Sequence, residues 1–163
     1  MESRIALLPE TLLVGKCLRM ALANNRTVEL WKSFMPHRAE IQNIRSPVLY
    51  SVQRYDGLPG PGVFNPSVEF EKWAAVEVTG FGQIPEGMCT LTIPGGLYAV
   101  FQYKGSPQEF AKAFDFIFRS WFPDSGYVLD NREHFEIMGD KYKNNDPSSE
   151  EEIWIPLAPR AGS

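Results

Sequence analysis

The sequence predicts an α+β fold. Two pseudo-symmetric strand–helix–strand–strand modules form an antiparallel sheet, with helices packed on it and a central ligand cleft. Three observations predict it. Apolar runs of strand length recur along the chain, and each half is interrupted by one amphipathic helix. The ends of those helices are alike: residues 30–36 read LWKSFMP and residues 117–123 read IFRSWFP, an offset of 87. The same offset sets Arg54-Tyr55 over Lys141-Tyr142, and two matches at one offset indicate duplication. Such halves gather helices against a sheet and leave a cleft between them, a natural place for a small ligand.

Each element has a local reason. Residues 11–20 (TLLVGKCLRM) read as a strand. Asn24 and Asn25 can cap the helix that follows. There Val28, Trp31 and Met35 make an amphipathic stripe beside Leu30 and Phe34, ending near Pro36. Residues 47–55 read as a strand, and 56–68 (DGLPGPGVFNPSV) as a long turn-rich loop. Residues 69–81 alternate. Strands at 88–94 and 97–104 flank the turn Pro94-Gly95-Gly96. Ser106-Pro107-Gln108-Glu109 has the form of a capping box. Phe110, Phe114, Ile117 and Trp121 then fall at helical spacing, and Pro123 stops the helix. Strands at 134–143 and 152–157 close the chain around the turn NNDPSSE.

The chain has 163 residues, 44% hydrophobic and 22% charged. That suits one domain over 1–157, with halves of about 11–81 and 88–157 and a loose tail at 158–163. It excludes disorder, collagen and coiled coil as global descriptions. The formal net charge of −4 opposes a phosphate backbone, so non-specific nucleic-acid binding is not expected. Residues 130–152 hold 8 acidic against 3 basic side chains, the one stretch that points to a protein partner. Cys17 and Cys89 lie in apolar runs without zinc spacing and read as reduced core thiols. No run of 18 apolar residues exists, so no membrane span is expected. The start MESRIALLPE lacks a secretion pattern, and a cytoplasmic location is expected. His37 and His134 lack ligand-spaced partners, so no metal is expected, and no phosphate or dinucleotide motif calls for a cofactor. The aromatic content is high, with 4 Trp, 6 Tyr and 11 Phe. That is more ring surface than a small core needs.

The stretches VEVTGFGQIPEGMCTLTIPGGLYAVFQYKG (76–105), the aromatic helix after it, HFEIMGDKY (134–142) and EEEIWIPL (150–157) carry a family resemblance. The chain resembles the GyrI-like small-molecule-binding domain, also known as the AraC-type effector-binding domain, over about residues 11–157. The resemblance implies two strand–helix–strand–strand modules around a pocket for hydrophobic, often cationic, small molecules. Some members are sensors of transcription activators. Others stand alone, among them a branch associated with hydrolysis of cyclopropane-containing toxins. With about ten residues ahead of the first strand, no helix-turn-helix fits here, so a stand-alone member that does not read DNA directly is expected.

Glu136 is the lead candidate. Phe135 and Ile137 hold the apolar parity of its strand, so Glu136 shares the other face with His134 and Met138. The 87-residue offset sets it against Leu49. A strand Glu ordinarily faces solvent. The resemblance instead implies that it meets the ligand at the pocket floor, as counter-charge or as general base towards water. Trp154, opposite in parity to Ile153 and Ile155, is the second ligand-facing candidate by the same resemblance. Tyr50 and Trp73 are weaker strand-borne candidates. Trp31 and Trp121 lie on helical stripes, where core packing competes with a pocket role. The function expected is binding of amphipathic or cationic small molecules; the alternative is a hydrolase of strained electrophiles.

Overall fold

A computed structural model of the chain describes residues 1–56, 66–106, 109–139, 142 and 148–160. The strands are β1 (Ser3–Leu8), β2 (Thr11–Ala21), β3 (Leu49–Arg54), β4 (Glu69–Val78), β5 (Cys89–Ile93), β6 (Gly96–Lys104), β7 (Tyr127–Leu129), β8 (His134–Met138) and β9 (Glu150–Pro159). The helices are α1 (Thr27–Phe34), α2 (Phe110–Phe116) and the short α3 (Phe122–Ser125). The main strand order is β1-β6-β9-β8-β3-β4-β2-β5, all antiparallel, with β7 paired to the end of β9.

The order explains the shape. β1 lies at one edge of the sheet and is joined by two residues to β2, beside the other edge. β5, at that other edge, is joined by two residues to β6. Both edges must therefore approach each other, and the sheet curls. Its inner face holds one core in which Leu8, Leu13, Leu91, Ile93, Tyr98, Val100, Phe135 and Trp154 meet. Gly15 of β2 permits the close contact with β4 that the curl requires: a Cβ there would lie 2.0 Å from the Ala74 carbonyl oxygen.

The outer face carries the helices. Leu30 and Phe34 of α1 pack on Val14, Met20, Phe70, Ala74 and Val76. Ile117 and Phe122 pack on Ala99, Phe101, Ile153 and Ile155. Each helix covers the flank of its own half. The central strands β3 and β8 lie between them.

The helix ends depart from the sequence expectation. Asn25 Oδ1 accepts from Thr27 N at 2.9 Å, near the start of α1. Pro36 does not end the helical run, because a 3₁₀ turn continues over Met35–Glu40 with Pro36 in its first turn, where a missing N–H costs little. α2 begins at Phe110, and its N-cap Glu109 makes no side-chain cap bond; Pro107 and Gln108 lie outside the described residues. Pro123 likewise fails to stop the second helix. A π-helical turn over Ile117–Trp121 leads into α3, which Gly126 ends in a left-handed conformation at φ 77°. β1 and β7 were not expected. The centre of the 56–68 loop, Lys141, most of the NNDPSSE turn and the last three residues fall outside the described residues. Both cysteines are free thiols. Cys89 is exposed at the start of β5 rather than in the core.

The repeat is real but its offset shifts. Trp73 Nε1 donates to Glu71 Oε1 at 2.6 Å, and Trp154 Nε1 donates to Glu152 Oε1 at 3.1 Å. These equivalent Glu-x-Trp units pair with Val52 of β3 and Phe135 of β8. Val52 and Phe135 are in turn paired with each other across the centre of the sheet. Gln53 is therefore the counterpart of Glu136, and Lys72 that of Ile153. Leu49, set against Glu136 by the 87-residue offset, is displaced from that position. The helix ends keep that offset because the connections between strand and helix differ in length.

Candidate functional site

A cleft of about 2090 Å³ opens on the outer face between the two helical layers. Its floor is the uncovered centre of the sheet: Ser51 and Gln53 of β3, Lys72 of β4, His134 and Glu136 of β8, and Glu151 of β9. One wall comes from α1 and the turn after it, with Val28, Trp31 and Met35. The other wall comes from Phe110, Phe114, Phe118 and Phe122. Successive ring centroids there lie 4.7, 6.4 and 5.3 Å apart. A spacing of four drifts around an α-helix of roughly 3.6 residues per turn. The wider π turn takes up that drift, so Phe118 and Phe122 stay in line with the rings before them.

Glu136 is buried at 6% exposure. Its Oε1 accepts from Gln53 Nε2 at 3.0 Å and lies 3.8 Å from Lys72 Nζ. Among the described residues, its Oε2 and the Nε2 of His134 are buried without a hydrogen-bond partner. Burial pushes the Glu136 carboxyl up, against the Lys72 charge and the Gln53 bond. Burial pushes the Lys72 ammonium down, against the attraction of Glu136 and Glu151. Glu151 is pushed up to about 7, by burial first and then by the charge of Glu136. Burial alone lowers His134 to about 4, so its imidazole is neutral near pH 7. The Tyr55 ring meets the His134 ring edge-on at 5.1 Å. The floor thus combines one carboxylate with an unpaired oxygen, one lysine, and a second carboxyl that titrates near neutrality.

Of the six residues singled out in the sequence, the structure brings two to the cleft, Glu136 and Trp31. Trp154 pairs with Phe135, and neighbours across a ladder point to the same side, so Trp154 lies on the inner face, opposite Glu136. Tyr50 and Trp73 lie on that inner face too, at 5% and 3% exposure. Their place in the cleft is corrected: they form the core of the curled sheet. Trp121 turns away from the cleft and packs edge-on to Phe101 at 5.1 Å. The residues missed were Lys72, Glu151, Tyr55 and the phenylalanine wall. Parity could have found two of them. Lys72 shares the face of Ala74 and Val76, and Glu151 that of Ile153 and Ile155. The fourfold spacing of Phe110, Phe114, Phe118 and Phe122 was also legible.

Among the described residues, no group of three or more His, Cys, Asp or Glu could hold a metal. No helix there is long and apolar enough to cross a membrane.

A curled antiparallel sheet with two helical layers and a cleft over its centre defines the α+β class of this domain. The sequence matches the GyrI-like small molecule binding domain over residues 1–158, and the chain belongs to that family. Solved structures share the fold. The C-terminal domain of EcmrR aligns with a TM-score of 0.70 and 18% identity, covering 97% of this chain and 98% of that one. SAV2435, solved bound to tetraphenylphosphonium, aligns at 0.67 and 16%, covering 97% and 94%. A hydrolase from Listeria innocua aligns at 0.61 and 9%, covering 96% and 92%. No functionally curated protein matches the sequence.

Proposed function

We propose that the protein binds hydrophobic, cationic small molecules in this cleft, as a cytoplasmic sensor or sequestering protein. The observation that carries this reading is the unpartnered Oε2 of Glu136 at the floor of an aromatic-walled cleft. Leaving a buried acceptor unpaired costs on the order of 1–3 kcal/mol, more for a charged group. A cation resting over it recovers that cost. Each ring facing the cation adds about 0.5–2 kcal/mol. Flat rings and one charge select for size and sign rather than for a hydrogen-bond pattern, so recognition is broad. The likeness to a protein solved with tetraphenylphosphonium supports the same ligand class. The likeness to EcmrR, also solved in complex with DNA, supports a regulatory setting.

Calorimetric titration with tetraphenylphosphonium tests it. Wild type should bind, and Glu136→Gln should bind at least about tenfold more weakly, the loss expected for one desolvated charge contact. Equal affinity of the two proteins would remove Glu136 from the account.

Glu151 favours a second reading, hydrolysis of strained electrophiles. Glu151, raised to about 7, can serve as the acid, with Glu136 as the base towards water. Glu136 would take a proton from water as its oxygen bonds to a cyclopropane carbon. The opened ring's electron pair would pass to the conjugated acceptor, which Glu151 protonates. Recovery of intact cyclopropane-bearing alkylator after incubation, at the rate seen without protein, rules this out.

A further inference from the structure

We infer that Lys72 is a tethered competitor for the ligand's cationic group and sets the threshold of affinity that a cation must exceed to occupy the cleft. The inference rests on the reading of Glu136 as the ligand's counter-charge.

Four observations carry it. Lys72 lines the cleft floor from β4, in ladder register with Gln53, and its ammonium lies 3.8 Å from Glu136 Oε1. It is buried, with 9% of its surface exposed. Its counterpart in the other half is Ile153, which pairs with Glu136 of β8 and is fully buried in the core beneath Ile117 and Phe122. The fold therefore accepts an aliphatic residue at this place, and nothing in the architecture demands a lysine. The separation from Glu136 also exceeds a hydrogen bond. A buried pair with such geometry does not recover the cost of taking two charges out of water. Stability is thus a poor explanation for Lys72.

A functional explanation is direct. In the ligand-free cleft, Lys72 neutralises Glu136 from one side and leaves Oε2 unpartnered on the other. An incoming cation meets a like charge a few ångströms from its counter-charge, at a site of low effective dielectric. It must bring enough apolar surface to offset that repulsion. Glu151 lies close enough to attract the lysine as well, and gives the ammonium a second carboxyl to turn towards. Small cations with little ring surface are thereby rejected. Large lipophilic ones are admitted.

The test titrates wild type, Lys72→Ile, Lys72→Met and Glu136→Gln with tetraphenylphosphonium and with neutral triphenylphosphine oxide. At about pH 7, where an ammonium lowered by burial keeps more of its charge than at alkaline pH, the two lysine variants should bind the cation roughly tenfold more tightly or better. The neutral probe should bind all four proteins alike. Tetramethylammonium, which the wild type should reject, should bind the lysine variants measurably. Cation affinities of Lys72→Ile and Lys72→Met that are unchanged or weaker would overturn the inference. If Glu136→Gln binds the cation as well as wild type, the reading of Glu136 fails first. If Glu136→Gln loses the cation while the lysine variants gain nothing, only the role of Lys72 fails. Should the variants not fold, the wild type decides: with ε-carbon-labelled lysine, the Lys72 signal must move on adding tetraphenylphosphonium, and a stationary signal refutes displacement.

Discussion

Gln53 and Glu136 hold equivalent positions in the two halves, and they touch: Gln53 Nε2 donates to Glu136 Oε1 at 3.0 Å. The contact spans the centre of the sheet, where Val52 pairs with its own counterpart Phe135. The duplicated fold is therefore symmetric in backbone and asymmetric in charge. One half contributes an amide and the other a carboxylate to the same point.

One carboxylate with an unpartnered oxygen at the centre of the sheet predicts one cation per chain. Calorimetric stoichiometry with tetraphenylphosphonium should be one. Two equivalent sites per chain would mean that the two helical walls bind independently of Glu136.

Trp31 is the cleft tryptophan, while Trp73 and Trp154 are core and Trp121 lies against Phe101. Ligand binding should change tryptophan fluorescence, and Trp31→Phe should abolish most of that change. Trp73→Phe and Trp154→Phe should retain it. A signal that survives in Trp31→Phe would place the ligand elsewhere.

Core and cleft positions on one helix should separate stability from binding. Ile117 is fully buried, so Ile117→Ala should cost about 2–5 kcal/mol of unfolding free energy. Phe118 lines the cleft and is only half-buried. Phe118→Ala should change the denaturation midpoint less, and weaken cation binding by roughly 0.5–2 kcal/mol, the worth of one ring contact. Denaturant unfolding and calorimetry on both variants check this. A larger stability loss for Phe118→Ala than for Ile117→Ala would contradict the assignment.

Glu151 sets a pH signature. Its folded carboxyl is raised to about 7 from an ordinary 4.5, so the folded chain holds a proton that the unfolded chain loses. That contribution to stability is complete below 4.5 and is lost as pH rises through 7. His134, lowered to about 4, acts oppositely: the unfolded imidazole takes up a proton first as pH falls below 6.5. Comparison with Glu151→Gln isolates the first effect. Cation affinity runs the other way from the Glu151 stability term and should increase as pH passes through 7, because ionised Glu151 adds negative charge to the floor. Lys72, Gln53, His134, Tyr55, Glu136 and Tyr142 face the same cleft and are unchanged in that variant. A Glu151→Gln protein with the wild-type pH dependence of affinity would exclude Glu151.

Much of this was legible in the sequence. The helix-end repeat gave the two halves, and strand parity put Glu136 on the face with His134. What parity within one strand cannot give is the register between strands. Trp154 is off the apolar parity of β9, and only its pairing with Phe135 turns it to the inner face. A sheet that curls has two buried faces, and Tyr50, Trp73 and Trp154 lie on the inner one. The helices misled for a related reason. Each is apolar towards the sheet and again towards the cleft, so Val28, Trp31 and Met35 form a stripe whose partner is the cleft while Leu30 and Phe34 hold the core. The aromatic excess resolves the same way, into an inner core, two helical layers and a wall of phenylalanines.

The most direct measurement is a crystal structure with tetraphenylarsonium, whose arsenic is located by anomalous scattering. One arsenic peak per chain is expected in the cleft, over Glu136 and between Trp31 and the wall of Phe114 and Phe118. A peak on the inner face beside Trp73 or Trp154, or on the protein surface away from Glu136, would contradict it.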